Sequence, residues 1–133
     1  MNLQCECENI SIEWNRKLGV INSRKCGCDY CKRHKGEYVS DPDSEFSYRI
    51  FDESKHAVVK HGHGTAEFHE CTGCGLAFVT CDIDGKYYGI INSVVMGVKN
   101  CQLDSEPKDY SRESIDERLL RRKERWSKVC RDS

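Results

Sequence analysis

Residues 71–95, CTGCGLAFVTCDIDGKYYGIINSVV, decide the fold. Two apolar runs, Leu76 to Ile83 and Tyr87 to Val95, flank Asp84-Gly85, a pair suited to a tight turn that needs positive backbone φ. The stretch therefore reads as a β-hairpin, and it is launched from Cys71-Thr72-Gly73-Cys74-Gly75. In that knuckle the glycines let the backbone fold tightly and aim amide N–H groups at the sulfurs.

Upstream of the hairpin the chain continues as short strands. Thr65 to His69 leads into the knuckle, Ala57 to Lys60 precedes it, and Phe46, Tyr48 and Ile50 alternate with Ser47, Arg49 and Phe51. Near the N-terminus, Ile10, Ile12 and Trp14 share one face of a strand, and Leu18 to Ile21 suggests another. Ser40-Asp41-Pro42-Asp43-Ser44 breaks the pattern with turn-favouring residues. Strands punctuated every ten or so residues predict a mainly β domain, a small curved antiparallel sheet. Downstream, the character changes after Pro107. Ile115, Leu119, Trp126 and Val129 fall near helical spacing and Ser111 or Ser114 can cap the start, which predicts a helix over roughly 114–129. The division is thus a β domain over 1–100 and a mostly helical C-terminal extension over 101–133.

The 133 residues suit one domain, and with 38% hydrophobic and 32% charged residues the apolar core is modest. Ten cysteines suggest how it is reinforced. Met1-Asn2-Leu3-Gln4 runs straight into Cys5 without a basic and then an apolar segment, so the chain reads as cytoplasmic, where closely spaced cysteines bind metal or do redox chemistry more often than they form disulfides. No apolar run approaches the roughly 18 to 20 residues that span a bilayer. Formal net charge is −1; residues 111–133 carry eight basic and five acidic groups, +3, and the rest carry 13 and 17, −4. A β domain with that balance offers no basic face to nucleic acid. The thin apolar stripe of the basic helix fits packing on the domain or on a second subunit, a route to a homo-oligomer.

Seven cysteines form three clusters: Cys5-x-Cys7, Cys26-x-Cys28-x-x-Cys31 and Cys71-x-x-Cys74. Two ligands are too few for a closed site, and adding Cys5 and Cys7 to Cys71 and Cys74 supplies four, leaving Cys26, Cys28 and Cys31 as a separate three-sulfur site with an open position. Other partitions, such as completion of the trio by Cys81 or His34, stay open on spacing alone. All-sulfur ligation favours zinc or iron–sulfur chemistry, and the spacings match no ferredoxin pattern, so Zn2+ at two sites is expected.

This order of clusters, with a hydrophobic residue shortly before Cys-x-x-Cys-Gly, resembles the glutathione-dependent formaldehyde-activating enzyme (GFA) or CENP-V domain family over about residues 3–98. The resemblance implies an Mss4-like, or β-tent, fold in which Cys5, Cys7, Cys71 and Cys74 hold a structural zinc and Cys26, Cys28 and Cys31 hold a catalytic one. Where a glycine often follows the family's first Cys-x-Cys, this chain has Glu8; where a small residue often follows the middle cysteine of the trio, it has Asp29. The implied activity is that of a carbon–sulfur lyase, forming or cleaving a thiol–aldehyde adduct such as S-hydroxymethylglutathione from glutathione and formaldehyde. A soft open position would accept the substrate thiol and favour its thiolate, which attacks the aldehyde. The other reading is a non-catalytic, zinc-stabilised Mss4-like interaction or chaperone-like module.

Several residues have blander readings. Lys32, Arg33 and Lys35 could attract substrate carboxylates but read first as a solvated loop, as do His34, His61 and His63. His69 beside the knuckle is placed to donate a hydrogen bond to sulfur. Cys81 shares strand parity with Val79 and Ile83 and reads as a buried small hydrophobe; Cys101 and Cys130 are isolated.

Overall fold

The computed structural model describes residues 1–16, 19–25, 36–60, 65–99, 101–103 and 112–130. In chain order the strands are β1 (Asn2–Gln4), β2 (Ile10–Trp14), β3 (Ile21–Lys25), β4 (Glu37–Val39), β5 (Glu45–Ile50), β6 (His56–Lys60), β7 (Glu67–Cys71), β8 (Gly75–Ile83), β9 (Lys86–Asn92), β10 (Cys101–Leu103) and β11 (Ser127–Cys130). One turn of 3-10 helix, Glu53–Lys55, and two α-helices, α1 (Ser93–Met96) and α2 (Ile115–Arg125), accompany them. The fold is mainly β, as the strand signals predict.

The predicted hairpin is β8–β9, and it organises the sheet. Asp84 and Gly85 sit at φ 53° and 83°, the left-handed pair that lets two residues reverse the chain, with Ile83 opposite Lys86. One edge of β9 pairs with β8 along its length. Its other edge is divided: Tyr88 and Gly89 pair with Lys128 and Ser127 of β11, while Ile91 and Asn92 pair with Val39 and Tyr38 of β4. From that division the order runs β11–β5–β2–β1 on one side and β4–β3–β10 on the other, and β8 continues through β7 to β6.

Both faces of the hairpin are covered, which explains why its runs are apolar without alternation. Phe78 and Ile91 join a core with Ile10, Ile12, Trp14, Val39 and Phe46. Val79, Cys81, Tyr88 and Ile90 face a second core that also holds Leu76, Ile83 and Trp126. The first core contains the predicted face of β2, with Ile10, Ile12 and Trp14 fully buried. Where β9 crosses between Phe46 and β11, only glycine fits: a Cβ on Gly89 would lie 2.7 Å from Phe46 Cζ and Val129 Cγ2 and 2.9 Å from Val79 O.

Four expectations are corrected. The sheet is not purely antiparallel, because β3–β10 and β5–β11 are parallel pairs; each joins strands separated by most of the chain, so the long connection that a parallel pair requires is available. The strand expected over 87–95 ends at Asn92, whose buried amide accepts from the N–H groups of Glu37 and Val94 and donates to Leu76 O, turning the chain into α1. The early strand is Ile21–Lys25, beginning where the expected Leu18–Ile21 run was to end; residues 17 and 18 lie outside the described residues. The C-terminal helix starts as predicted, with Ser114 and Glu117 forming a reciprocal capping box, but stops at Arg125. Trp126 is extended (φ −80°, ψ 150°), and Ser127–Cys130 becomes a strand inside the sheet. Residues 112–130 thus contribute one helix and one interior strand. No helix among the described residues is long and apolar enough to cross a membrane.

Candidate metal centre

Two turns, far apart in sequence, meet at the site. The first joins β1 to β2: Glu8 N–H donates to Cys5 O (2.9 Å), closing a turn, and Cys5 N–H donates to Ile10 O (3.1 Å). Glu8 takes φ 65°, a left-handed conformation that glycine would adopt without cost, at the position where the resembled family often has glycine. The second turn joins β7 to β8, where Cys74 N–H donates to Cys71 O (3.2 Å).

Between the turns the sulfurs of Cys5, Cys7, Cys71 and Cys74 all lie within 4.8 Å of one another. Cys5 Sγ is 3.6 Å from Cys7 Sγ, and Cys7 Sγ is 3.4 Å from Cys71 Sγ. A tetrahedral ion with metal–sulfur bonds of ~2.3 Å requires sulfurs ~3.8 Å apart, so the donor set fits such an ion with small adjustments. Backbone amides of the first turn are aimed at the sulfurs: Ile10 N–H donates to Cys5 Sγ (3.4 Å) and Cys7 N–H to Cys74 Sγ (3.3 Å). Cys5 and Cys71 are buried, Cys74 is half-buried and Cys7 is exposed.

The electrostatics of the cluster point the same way. Cys7 is pulled down from 9.0 to about 7, first by the Asn9 amide and then by the thiols of Cys71 and Cys74. Burial is the main cause that raises Cys71 and pushes Cys74 up to about 12, with the neighbouring thiol of Cys7 adding to each and backbone amides opposing. Sulfurs this close cannot all ionise unless a cation shares them: the Cys7 proton leaves readily and those of Cys71 and Cys74 are held. A bound cation reverses that preference.

Behind the cluster runs a chain that spacing alone did not reveal. Glu53 Oε2 is 3.0 Å from His56 Nδ1, His56 Nε2 is 3.0 Å from His69 Nδ1, and His69 Nε2 is 3.0 Å from Thr80 Oγ1. With neutral rings, one proton order satisfies every contact: Thr80 donates to His69, His69 to His56, and His56 to Glu53. The ring nitrogens of His69 thus face a histidine and a threonine in place of the expected sulfur. His69 is buried and stacks on Phe78 at 4.2 Å, and His56 stands directly across from Cys71. The chain therefore braces the strand pair that presents Cys71. The parity of His69 with Cys71 was the available signal.

A second polar group sits in the other core. Arg122, only 7% exposed, donates from Nη1 to Thr65 Oγ1 (2.9 Å) and Cys81 Sγ (3.4 Å) and lies over the Trp126 ring at 4.9 Å. Among the described residues its buried Nε has no hydrogen-bond partner. Burial is the main cause lowering its pKa. Cys81 is buried as expected, away from the cysteine cluster. Cys101 is half-buried in β10 and Cys130 exposed in β11.

Cys26, Cys28 and Cys31, together with Lys32, Arg33, His34, Lys35, His61 and His63, lie outside the described residues. The chain on either side of the trio is paired, Lys25 of β3 with Glu37 of β4.

No family model matches the sequence, and no curated protein matches it. Among solved structures, the fold is similar to the crystal structure of a Rhodobacter sphaeroides protein determined as a structural genomics target. The two share 21% identity at a TM-score of 0.51, with 74% of this chain and 91% of that one covered. That likeness extends to the fold. The four-cysteine cluster that could hold a metal ion rests on this chain's own geometry.

Proposed function

We propose that the protein is a zinc-dependent enzyme of the GFA type, in which Cys5, Cys7, Cys71 and Cys74 hold a structural zinc and Cys26, Cys28 and Cys31 hold a second ion. The observation that carries the first half is the convergence of four sulfurs within 4.8 Å from turns more than 60 residues apart, with amides donating to two of them. Soft thiolate ligation in a tetrahedral arrangement suits zinc. An ion in this position ties the β1–β2 turn to the β7–β8 turn and so stabilises a small sheet by linking its far strands.

The second half rests on the order of the three cysteine clusters and its resemblance to the GFA family. The four-sulfur cluster needs nothing from the trio, which leaves three soft ligands for a site with room for a thiol. An ion there would lower the proton affinity of a small thiol such as glutathione, and the proposed reaction joins that thiol to an aldehyde such as formaldehyde, or cleaves the adduct.

Metal analysis of the purified protein and of Cys28→Ser tests the assignment. Two zinc ions per chain are expected in the parent, one in the variant, and hemithioacetal formation should be lost with the second ion. If Cys28→Ser loses an ion and keeps its activity, the catalytic assignment is wrong. Two equally inert ions per chain, neither responding to added thiol, are the outcome expected of a zinc-stabilised interaction module.

A further inference from the structure

The four sulfurs are not equivalent toward solvent. Cys5 and Cys71 are 2% and 1% exposed, Cys74 is half-buried, and Cys7 belongs to an exposed turn. A dissolved electrophile therefore meets Cys7 first. Cys7 Sγ lies 3.4 Å from Cys71 Sγ and 3.6 Å from Cys5 Sγ. Cys7 and Cys71 also belong to the two different turns, so a bond between them would link the same strands that a shared ion links. By contrast, a bond between Cys5 and Cys7 would close a loop within one turn and leave the other turn untied.

We infer that the cluster is a peroxide-sensitive clamp: oxidation at Cys7 forms a Cys7–Cys71 disulfide, expels the ion and keeps the two turns joined. This rests on the reading of the cluster as a metal site. The chemistry balances with hydrogen peroxide as oxidant. The Cys7 thiolate attacks one peroxide oxygen, the O–O bond breaks, hydroxide leaves and Cys7 becomes a sulfenic acid. The Cys71 thiolate then attacks the Cys7 sulfur and a second hydroxide leaves as the S–S bond forms. Two thiolates give up two electrons and one peroxide is reduced to two hydroxides, which take up protons as water. Cys5 and Cys74 remain, and two ligands are too few to retain the ion. The stability contributed by the ion is thereby partly replaced by that of a covalent cross-link closing a long loop.

The test uses the metal-loaded full chain treated with hydrogen peroxide, with a chromophoric chelator reporting released ion and peptide mapping reporting the disulfide. One ion released per Cys7–Cys71 bond formed is expected, with a melting temperature above that of protein stripped of metal by chelation. Cys7→His keeps a ligand at that position while removing the oxidisable sulfur, so it should hold the ion and release it at least tenfold more slowly. A disulfide mapped to Cys5–Cys7, or release as fast in Cys7→His as in the parent, overturns the inference. Retention of the ion through complete oxidation of Cys7 also overturns it. Protein that never binds metal at these four cysteines overturns the metal reading itself, and the initial metal analysis identifies that outcome before peroxide is added.

Discussion

Cys71 and Cys81 lie ten residues apart, at the two ends of one antiparallel excursion, and are equally buried at 1% and 2% exposed. Cys71 closes β7 among three other sulfurs, whereas Cys81 sits near the far end of β8 with the guanidinium of Arg122 3.4 Å away. Burial therefore does not separate a ligand from a packing residue. What separates them is company: one sulfur has three others near enough to share an ion, the other has apolar neighbours and a single buried cation. With an ion bound, the comparison would also divide the stability of the domain, one end resting on the ion and the other on side chains already present.

The largest test exchanges these roles by the same substitution at both positions. Cys71→Ser removes one ligand of four and is expected to abolish tight metal binding at the cluster, costing about 3 kcal/mol or more, because metal binding and folding are linked. Cys81→Ser should cost about 1–2 kcal/mol, the cost of a hydroxyl in a thiol's place, and leave the metal content unchanged. Denaturant unfolding with metal analysis measures both. Equal losses at the two positions would show that Cys71 contributes only packing.

Next in size is Arg122. Its aliphatic stem and its stacking on Trp126 fill the second core, but Nε is buried without a hydrogen-bond partner among the described residues. Removing a buried charge together with its unmet hydrogen bond offsets much of what the substitution loses, provided the volume is kept. Arg122→Met should remain within about 1 kcal/mol of the parent, and Arg122→Ala, which also empties the space, should lose about 2 kcal/mol or more. Neither should change metal content. A loss from Arg122→Met as large as that from Arg122→Ala would mean that the bonds to Thr65 and Cys81 carry the stability.

How far these two ends were legible in the sequence differs for physical reasons. Asp84-Gly85 announced its turn because few dipeptides accept two left-handed residues. The four-sulfur grouping could be reached by counting ligands, since Cys-x-Cys and Cys-x-x-Cys each supply half a tetrahedron. Arg122 beside Cys81 was not legible, because an arginine on a basic helix looks solvated until its neighbours are known. The strand after α2 was hidden for another reason: Trp126 and Val129 fit a helical stripe, and four residues are too short to reveal a period of two. Only the open edges of β5 and β9 decide that Ser127–Cys130 extends, and the partners of Lys128 on those edges, Glu45 and Tyr88, lie 83 and 40 positions earlier in the chain. Asn92 misled in the same way, since its side chain ends β9 by contacts with Glu37 and Leu76 that lie in other strands.

The protonation of the cluster gives a smaller, signed effect. In metal-free protein, the Cys71 and Cys74 thiols are raised in the fold above their ordinary 9.0, Cys74 to about 12. Between those limits the unfolded chain has released protons that the folded chain still holds, so stability falls as pH rises from about 9 toward 12. Cys7, lowered to about 7, acts in the opposite direction between 7 and 9. Metal-loaded protein should lack the alkaline decline, because the ion removes those protons at lower pH, and should instead lose its ion as acid reprotonates the thiolates. Melting temperatures across pH, with and without chelator, measure the difference. An alkaline decline of the same slope in both forms would place its origin outside the cluster.

Glu8→Gly gives the smallest effect and asks which came first, the turn or the ion. Glu8 holds φ 65° between Cys7 and the Asn9 amide that lowers the Cys7 thiol. A non-glycine residue in that conformation costs about 1 kcal/mol, and glycine recovers most of it while losing some through the greater freedom of its unfolded chain. The net expectation is a gain of about 0.5 kcal/mol. If the chain forms the turn on its own, through Cys5 O and the β1–β2 pairing, the gain should appear equally in metal-free and metal-loaded protein. If the ion instead pulls Cys7 into place and imposes the left-handed residue, the gain should appear only with metal bound, as tighter binding by about twofold. The hydrogen bonds that close the turn without reference to any sulfur, Glu8 N–H to Cys5 O and Cys5 N–H to Ile10 O, favour the first outcome.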